Sequence, residues 1–187
     1  MLGKLSTEVA TDRLDLLAPS VAAALATWPL DAPVGPGELL VAPIDPDLAD
    51  TAAFCAAYDV SPEESANCVV VSGRREGEVR LAACLVFATT RADVNGVVRR
   101  HLDVRKASFA PMAEAVELTG MEYGGITPLG LPVGWPILVD AAVAAAAAVV
   151  VGSGVRRSKL VLPGRALVAL PGAVVIEGLG RPVTAGS

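Results

Sequence analysis

The residues best placed to act on a ligand lie in two glycine-bearing stretches. The first is Thr119-Gly-Met-Glu-Tyr-Gly-Gly-Ile-Thr-Pro-Leu-Gly-Leu-Pro132. Gly124 and Gly125 free the backbone for positive φ, while Pro128 fixes its own φ and drives Thr127 to an extended conformation. This predicts a narrow, rigid loop, with Gly130 near its end, that offers main-chain N–H and C=O groups directly to a ligand. It is not a P-loop, because no Gly-Lys-Ser/Thr follows, and no GxGxxG opens a helix after a strand. A tight connection between helix and strand would use the same composition. The second stretch is Gly152-Ser-Gly-Val-Arg-Arg157. It follows an apolar strand, and strand ends are where open sheets commonly place ligands. Gly152 and Gly154 permit close backbone approach beside Ser153. Arg156 and Arg157 suit a phosphate, and equally suit a solvated turn.

Conventional catalytic groups are sparse. His101 is the only histidine and ends a helical stretch beside Arg99 and Arg100, where a cation meets the helix dipole. Cys55, Cys68 and Cys84 are odd in number with no CxxC spacing, which predicts free thiols in a reducing, cytoplasmic setting. Cys68 has no evident base to activate it. With one histidine and no cysteine pair, a zinc site would need scattered carboxylates, so neither metal nor cofactor is expected. Asp140 reads as a helix N-cap. Arg99, Arg100, Arg105 and Lys106 form a local basic cluster that is either a solvated face or a guide for a phosphate backbone.

These groups need a scaffold, and 187 residues suffice for one sizeable domain. A formal charge of -5 argues against a general nucleic-acid or membrane-surface binder. The apolar run 136–151 is too short to span a bilayer and contains Asp140. Residues 6–29 carry helix formers with Ser6 placed to cap, and 31–37 break the chain. Strand character follows at 38–43, a helix at 47–58, and a hairpin of 68–72 with 79–88 joined through Gly73–Gly77. Helices are predicted at 92–102, 111–118, 141–146 and 164–170, and strands at 104–109, 136–139, 147–151, 159–162 and 173–177. Residues 178–187 read as a frayed tail. The mixture lacks a regular βαβ rhythm, so the expected class is α+β, with a mixed, curled, partly barrel-like sheet among short helices.

Gly120-Met-Glu-Tyr-Gly-Gly-Ile-Thr-Pro-Leu-Gly130 resembles the Gly-Tyr-x-x-Gly-Gly-Ile-Ser-Pro-Leu-Gly signature of the YbaK family, which is related to the editing domain of bacterial prolyl-tRNA synthetases. Val104–Ala110, Pro136–Asp140, Val150–Arg157 and Leu160–Ala173 are similar to further family segments in the same order. The resemblance runs from about Leu40 to about Gly178, which sets the editing domain at 38–178, with 1–37 as an N-terminal helical extension and 179–187 as a tail. It implies trans-editing, the hydrolysis of the ester joining a wrong, small amino acid such as alanine or cysteine to tRNA, prolyl-tRNA included. Binding alone rejects a similar or smaller side chain too weakly, so a second hydrolytic site sorts by size. By resemblance, Gly124, Gly125, Ile126, Thr127 and Pro128 position the aminoacyl group, assisted by water and the terminal ribose hydroxyl. Asn67, Gly130, Gly152, Ser153 and Gly154 bind substrate, and Lys106, Arg156 and Arg157 take tRNA phosphates. The implied partners are the aminoacylated 3′ end of tRNA and an aminoacyl-tRNA synthetase, with no DNA and no membrane. One departure stands out: where the family carries a lysine, this sequence has Asn67, which donates hydrogen bonds without charge. A catalytically weak module that binds aminoacyl-tRNA or a small ligand is therefore the alternative reading.

Overall fold

The computed structural model describes residues 2–29 and 31–183. In chain order, the strands are β1 (Glu8–Val9), β2 (Leu40–Pro43), β3 (Ala66–Arg75), β4 (Glu78–Phe87), β5 (Thr90–Ala92), β6 (Ala107–Phe109), β7 (Ile137–Asp140), β8 (Val149–Gly152), β9 (Ser158–Leu162), β10 (Ala173–Ile176) and β11 (Gly180–Pro182). The helices are α1 (Pro19–Ala26), α2 (Thr51–Tyr58), α3 (Arg99–His101), α4 (Met112–Thr119), α5 (Ala141–Ala144) and α6 (Gly164–Val168). A π-helical turn over Val94–Val98 leads into α3.

The class is α+β, as the sequence implies, but among the described residues the strands do not close into a barrel. They form open sheets in the orders β1-β2-β9-β8 and β10-β7-β4-β3-β6, with β11-β5 as a separate pair. β7 runs parallel to both β4 and β10, and the other pairings are antiparallel. The two larger sheets meet where Ser65, just before β3, bridges Val150 of β8. β3 and β4 make a longer hairpin than expected, because Glu76 and Gly77 alone form the turn, both at positive φ. That is the conformation whose twist suits a two-residue hairpin.

Side-chain alternation divides the core. Leu85 of β4 faces a cluster with Val149, Val151, Leu160 and Leu162, while Ala82, Cys84 and Val86 face Val94, Val98, Leu102 and Leu179. Burial on both faces explains the near-continuous apolar sequence of β4. On the opposite side of β8 and β9 from the first cluster, Val150 and Val161 pack with Phe54 of α2.

Three expectations are corrected. Residues 6–29 are not one helix: they form β1, two 3-10 turns and α1, which starts with Pro19. Proline is favoured at a first helical position and disrupts an interior, so the long helix is broken there. Residues 92–102 open with a strand and a π-helical turn instead of one helix. The expected tail is ordered through residue 183: Leu179 is buried, β11 pairs with β5, and Arg181 joins Asp93 at 2.7 Å. Residues 184–187 lie outside the described residues.

Candidate active site

The two glycine stretches are bound to each other. The Glu122 amide donates to the Gly154 carbonyl at 2.9 Å, and the Gly154 amide donates to the Gly125 carbonyl at 2.8 Å. The Arg156 amide donates to the Glu122 carboxylate at 2.6 Å. Gly125 could not be larger, since an added Cβ would lie 2.7 Å from the Val155 backbone. A Cβ on Gly152 would collide with the carbonyl of Gly125. These contacts fix two loops into one wall.

That wall borders a cleft of about 380 Å³. Gly124, Ile126 and Tyr123 contribute from the signature loop, Gly152 from the end of β8, Asn67 and Cys68 from β3, and Asp50 and Thr51 from the start of α2. Among the described residues, the main-chain amides of Gly124 and Ile126 have no hydrogen-bond partner. Asn67 accepts through Oδ1 from the Thr51 hydroxyl at 2.7 Å, leaving its amide NH₂ to donate. Arg156 sits at the rim: its guanidinium donates to the carbonyls of Tyr123 and Pro46, each at 3.1 Å, and lies 3.5 Å from Asp50.

The structure thus brings Asn67, Gly124, Ile126 and Gly152 into one cleft. Gly125 lies within the same wall and Arg156 at its rim, and the remaining expected residues lie elsewhere. Thr127 is wholly buried, its hydroxyl without a partner among the described residues. Ser153 is buried too, and its hydroxyl donates to main-chain carbonyls of its own turn. Gly154 backs onto Ala18 of the N-terminal segment. Pro128 and Gly130 line a different hollow of about 500 Å³ with Trp28, Pro29, Trp135 and Pro171. Arg157 is exposed and donates to the Asp15 carbonyl at 2.6 Å. Lys106 lies in a third depression, beside Arg74, Arg105 and Glu114.

One cleft residue escapes the sequence reading. Lys159 of β9 is 7% exposed, and its ammonium donates to the carbonyls of Ala49 at 2.9 Å and Gly124 at 3.2 Å. The ammonium also lies 5.4 Å from the centre of the Phe54 ring. Burial, reinforced by Arg156, pushes its pKa down to about 8, against the opposing pull of Asp50 and Cys55. The available signal was a lone charge in the apolar strand Ser158-Lys-Leu-Val-Leu162, where an unpaired cation would be costly. Cys68, also in the cleft, is held as a thiol by burial, which pushes its pKa well above the usual range. No group of three or more His, Cys, Asp or Glu suited to a metal occurs among the described residues.

The chain is an α+β domain with a cleft walled by two paired glycine loops and lined by Asn67 and the buried Lys159. Residues 45–170 match the aminoacyl-tRNA editing domain, and the chain belongs to that family. Among solved structures it is similar to a candidate trans-editing enzyme for prolyl-tRNA synthetase, at 26% identity and TM-score 0.68, covering 86% of this chain and 97% of that one. It is also similar to the hypothetical protein APE2540, at 26% identity and TM-score 0.64, covering 76% and 90%. A scaffold used for epitope grafting shares the fold at 24% identity and TM-score 0.69, covering 86% and 95%. Comparison with curated proteins gives no match. Among the described residues, no helix is long and apolar enough to cross a membrane.

Proposed function

We propose that this protein is a deacylase that clears mischarged tRNA in trans, with residues 38–178 as the editing domain and 1–37 as its extension. The observation that carries the reading is the cleft itself, lined by Asn67 and by Gly124 and Ile126, whose main-chain amides have no partner among the described residues. Such a site works by positioning and fixed dipoles, without a reactive side chain. Small aminoacyl groups, alanine or cysteine, are the intended cargo, and a cleft of about 380 Å³ suits them together with part of the terminal adenosine.

In this reading Gly124 and Ile126 contact the aminoacyl group. Gly125, Thr127 and Pro128 hold the loop in shape, and Gly152, Ser153, Gly154 and Gly130 brace it. Asn67 meets the terminal nucleotide, while Arg156, Arg157 and Lys106 take phosphates along the acceptor stem. The acidic net charge favours delivery of the tRNA by a synthetase in the cytoplasm over unaided capture.

The test is release of amino acid from a panel of mischarged tRNAs, among them proline-accepting tRNA charged with alanine or with cysteine. Release well above the spontaneous rate is expected for at least one; none with any member would remove the enzymatic reading. The second reading, a silent binding module, is favoured by Asn67 standing in place of a lysine. It predicts binding of an amide-linked aminoacyl-adenosine without turnover of the ester.

A further inference from the structure

The cleft holds one buried charge that the deacylase reading above does not use. Lys159 is carried by β9 between β2 and β8, paired with Ala42 on one side and Gly152 on the other. A residue in mid-sheet, with strands on both flanks, is held on a rigid platform. Its side chain emerges on the Val161 face and runs under α2 to the cleft.

An ammonium has three N–H donors. Two are taken by the carbonyls of Ala49 and Gly124. Among the described residues no carboxylate lies within ion-pair distance of Lys159, and the nearby Asp50 engages Arg156 instead. A leucine or methionine would fill this space without the cost of desolvating a charge. The third N–H therefore remains for a ligand acceptor, in a cleft that the uncharged Asn67 also lines.

We propose that Lys159 is the cation this cleft presents to its substrate, holding the ester carbonyl oxygen of the aminoacyl group and stabilising the negative charge that grows there. The inference rests on the deacylase reading and gives it an electrostatic centre. In the step, the oxygen of water bonds to the carbonyl carbon and the ester C–O bond to the ribose breaks. The departing ribose oxygen takes the proton that water gives up, so the products are free amino acid and a tRNA with a terminal hydroxyl. Lys159 donates a hydrogen bond throughout and keeps its three protons. Fixed donors aimed at developing charge in a water-poor site are the largest catalytic term in many enzymes.

The position also explains how Asn67 is tolerated. A lysine there would bring a second ammonium into the same small cleft, and the two charges would repel. The site has room for one cation, and β9 supplies it.

The experiment transposes the charge. Wild type, Lys159→Met, Asn67→Lys and the double variant are compared in single-turnover hydrolysis of the mischarged tRNA that wild type clears. Each is also titrated with an amide-linked aminoacyl-adenosine by calorimetry. We expect Lys159→Met to lower the saturating rate about 100-fold. Asn67→Lys gains nothing over wild type, and the double variant recovers at least about tenfold over Lys159→Met, because the cation has returned from β3. A purely structural clamp between Ala49 and Gly124 could not be rescued from β3. Retention of the wild-type rate by Lys159→Met, or a double variant no better than the single, overturns the inference while leaving the deacylase reading intact. Absence of wild-type turnover removes the deacylase reading, and calorimetry then decides on Lys159. Analogue binding lost in Lys159→Met and regained in the double variant supports the cation, whereas no wild-type binding, or binding indifferent to Lys159, overturns it. Should Lys159→Met fail to fold, Lys159→Gln, which retains an N–H donor without charge, carries the same comparison.

Discussion

The two halves of the signature loop face different surroundings. Gly124 and Ile126 border a cleft with Asn67, Asp50 and Lys159, whereas Pro128 and Gly130, a few residues on, border the hollow between Trp28 and Trp135. That hollow is the larger of the two, and no titratable side chain lines it among the described residues. Size alone would favour it as the site. On the reading proposed above, ester hydrolysis calls for fixed polar donors, and the smaller cleft is the one lined by Asn67 and Lys159. One short motif thus divides its labour: its first half presents polar groups and its second half anchors the loop against apolar mass.

This contrast can be broken experimentally. The largest effect is expected at Gly152, where Gly152→Ala forces a methyl into the Gly125 carbonyl and parts the two loops. Deacylation should fall at least about 100-fold, as small misplacements at a reacting centre do, and stability by ~3 kcal/mol in chemical denaturation. Trp28→Ala attacks the other side. Trp28 is buried and its indole N–H donates to the Val34 carbonyl at 2.8 Å. Its loss should cost ~3 kcal/mol in the same denaturation series, with the deacylation rate within about threefold of wild type. A collapse of activity without loss of fold would reverse the assignment of the two cavities.

The charge of Lys159 sharpens the contrast through pH. Its pKa is depressed to about 8 in the folded protein against an ordinary value of 10.5. Between those values the unfolded chain binds the extra proton, so this group makes stability rise with pH. Cys55, Cys68 and Cys84 act oppositely, since burial raises their thiols. Asp50 and Arg156 also face the ammonium, so the informative quantity is the stability of wild type minus that of Lys159→Met, measured by denaturation across pH 8 to 10.5. It should increase with pH, and a flat difference would mean the lysine is not desolvated. The smallest effect is expected at Arg157, exposed and remote from the ester. Arg157→Ala should weaken tRNA binding modestly and reduce its logarithmic salt slope by about one.

Much of this architecture could be read before any coordinates. β3 and β4 were legible because Gly77 punctuates two β-rich runs, and the signature loop because no helix or strand interior would carry its glycines and Pro128. The resemblance brought Asn67, Gly124, Ile126 and Gly152 to notice, and they do share a cleft. Other features depended on tertiary context. Residues 6–29 have helix-forming composition, but Leu16 and Leu17 are drawn into the core and Pro19 restarts the helix. Leu179 and Val183 lie scattered among glycines and polar residues, too little to signal that β11 would find β5. Lys159 was hidden because strand alternation shows which face a residue takes, not that Ala49 and Gly124 would leave carbonyls waiting for its ammonium.

The contact between Gly154 and Ala18 has a practical consequence. The Ala18 amide donates to the Ser153 carbonyl at 3.1 Å, and the Leu16 carbonyl accepts from the Ser158 hydroxyl. The segment ahead of residue 45 therefore serves as a buttress behind the wall formed by the two glycine loops. A fragment trimmed to the family boundary would strip that support and leave the Ser153 turn wet on its rear side, so shortened versions would mislead anyone assaying them for turnover.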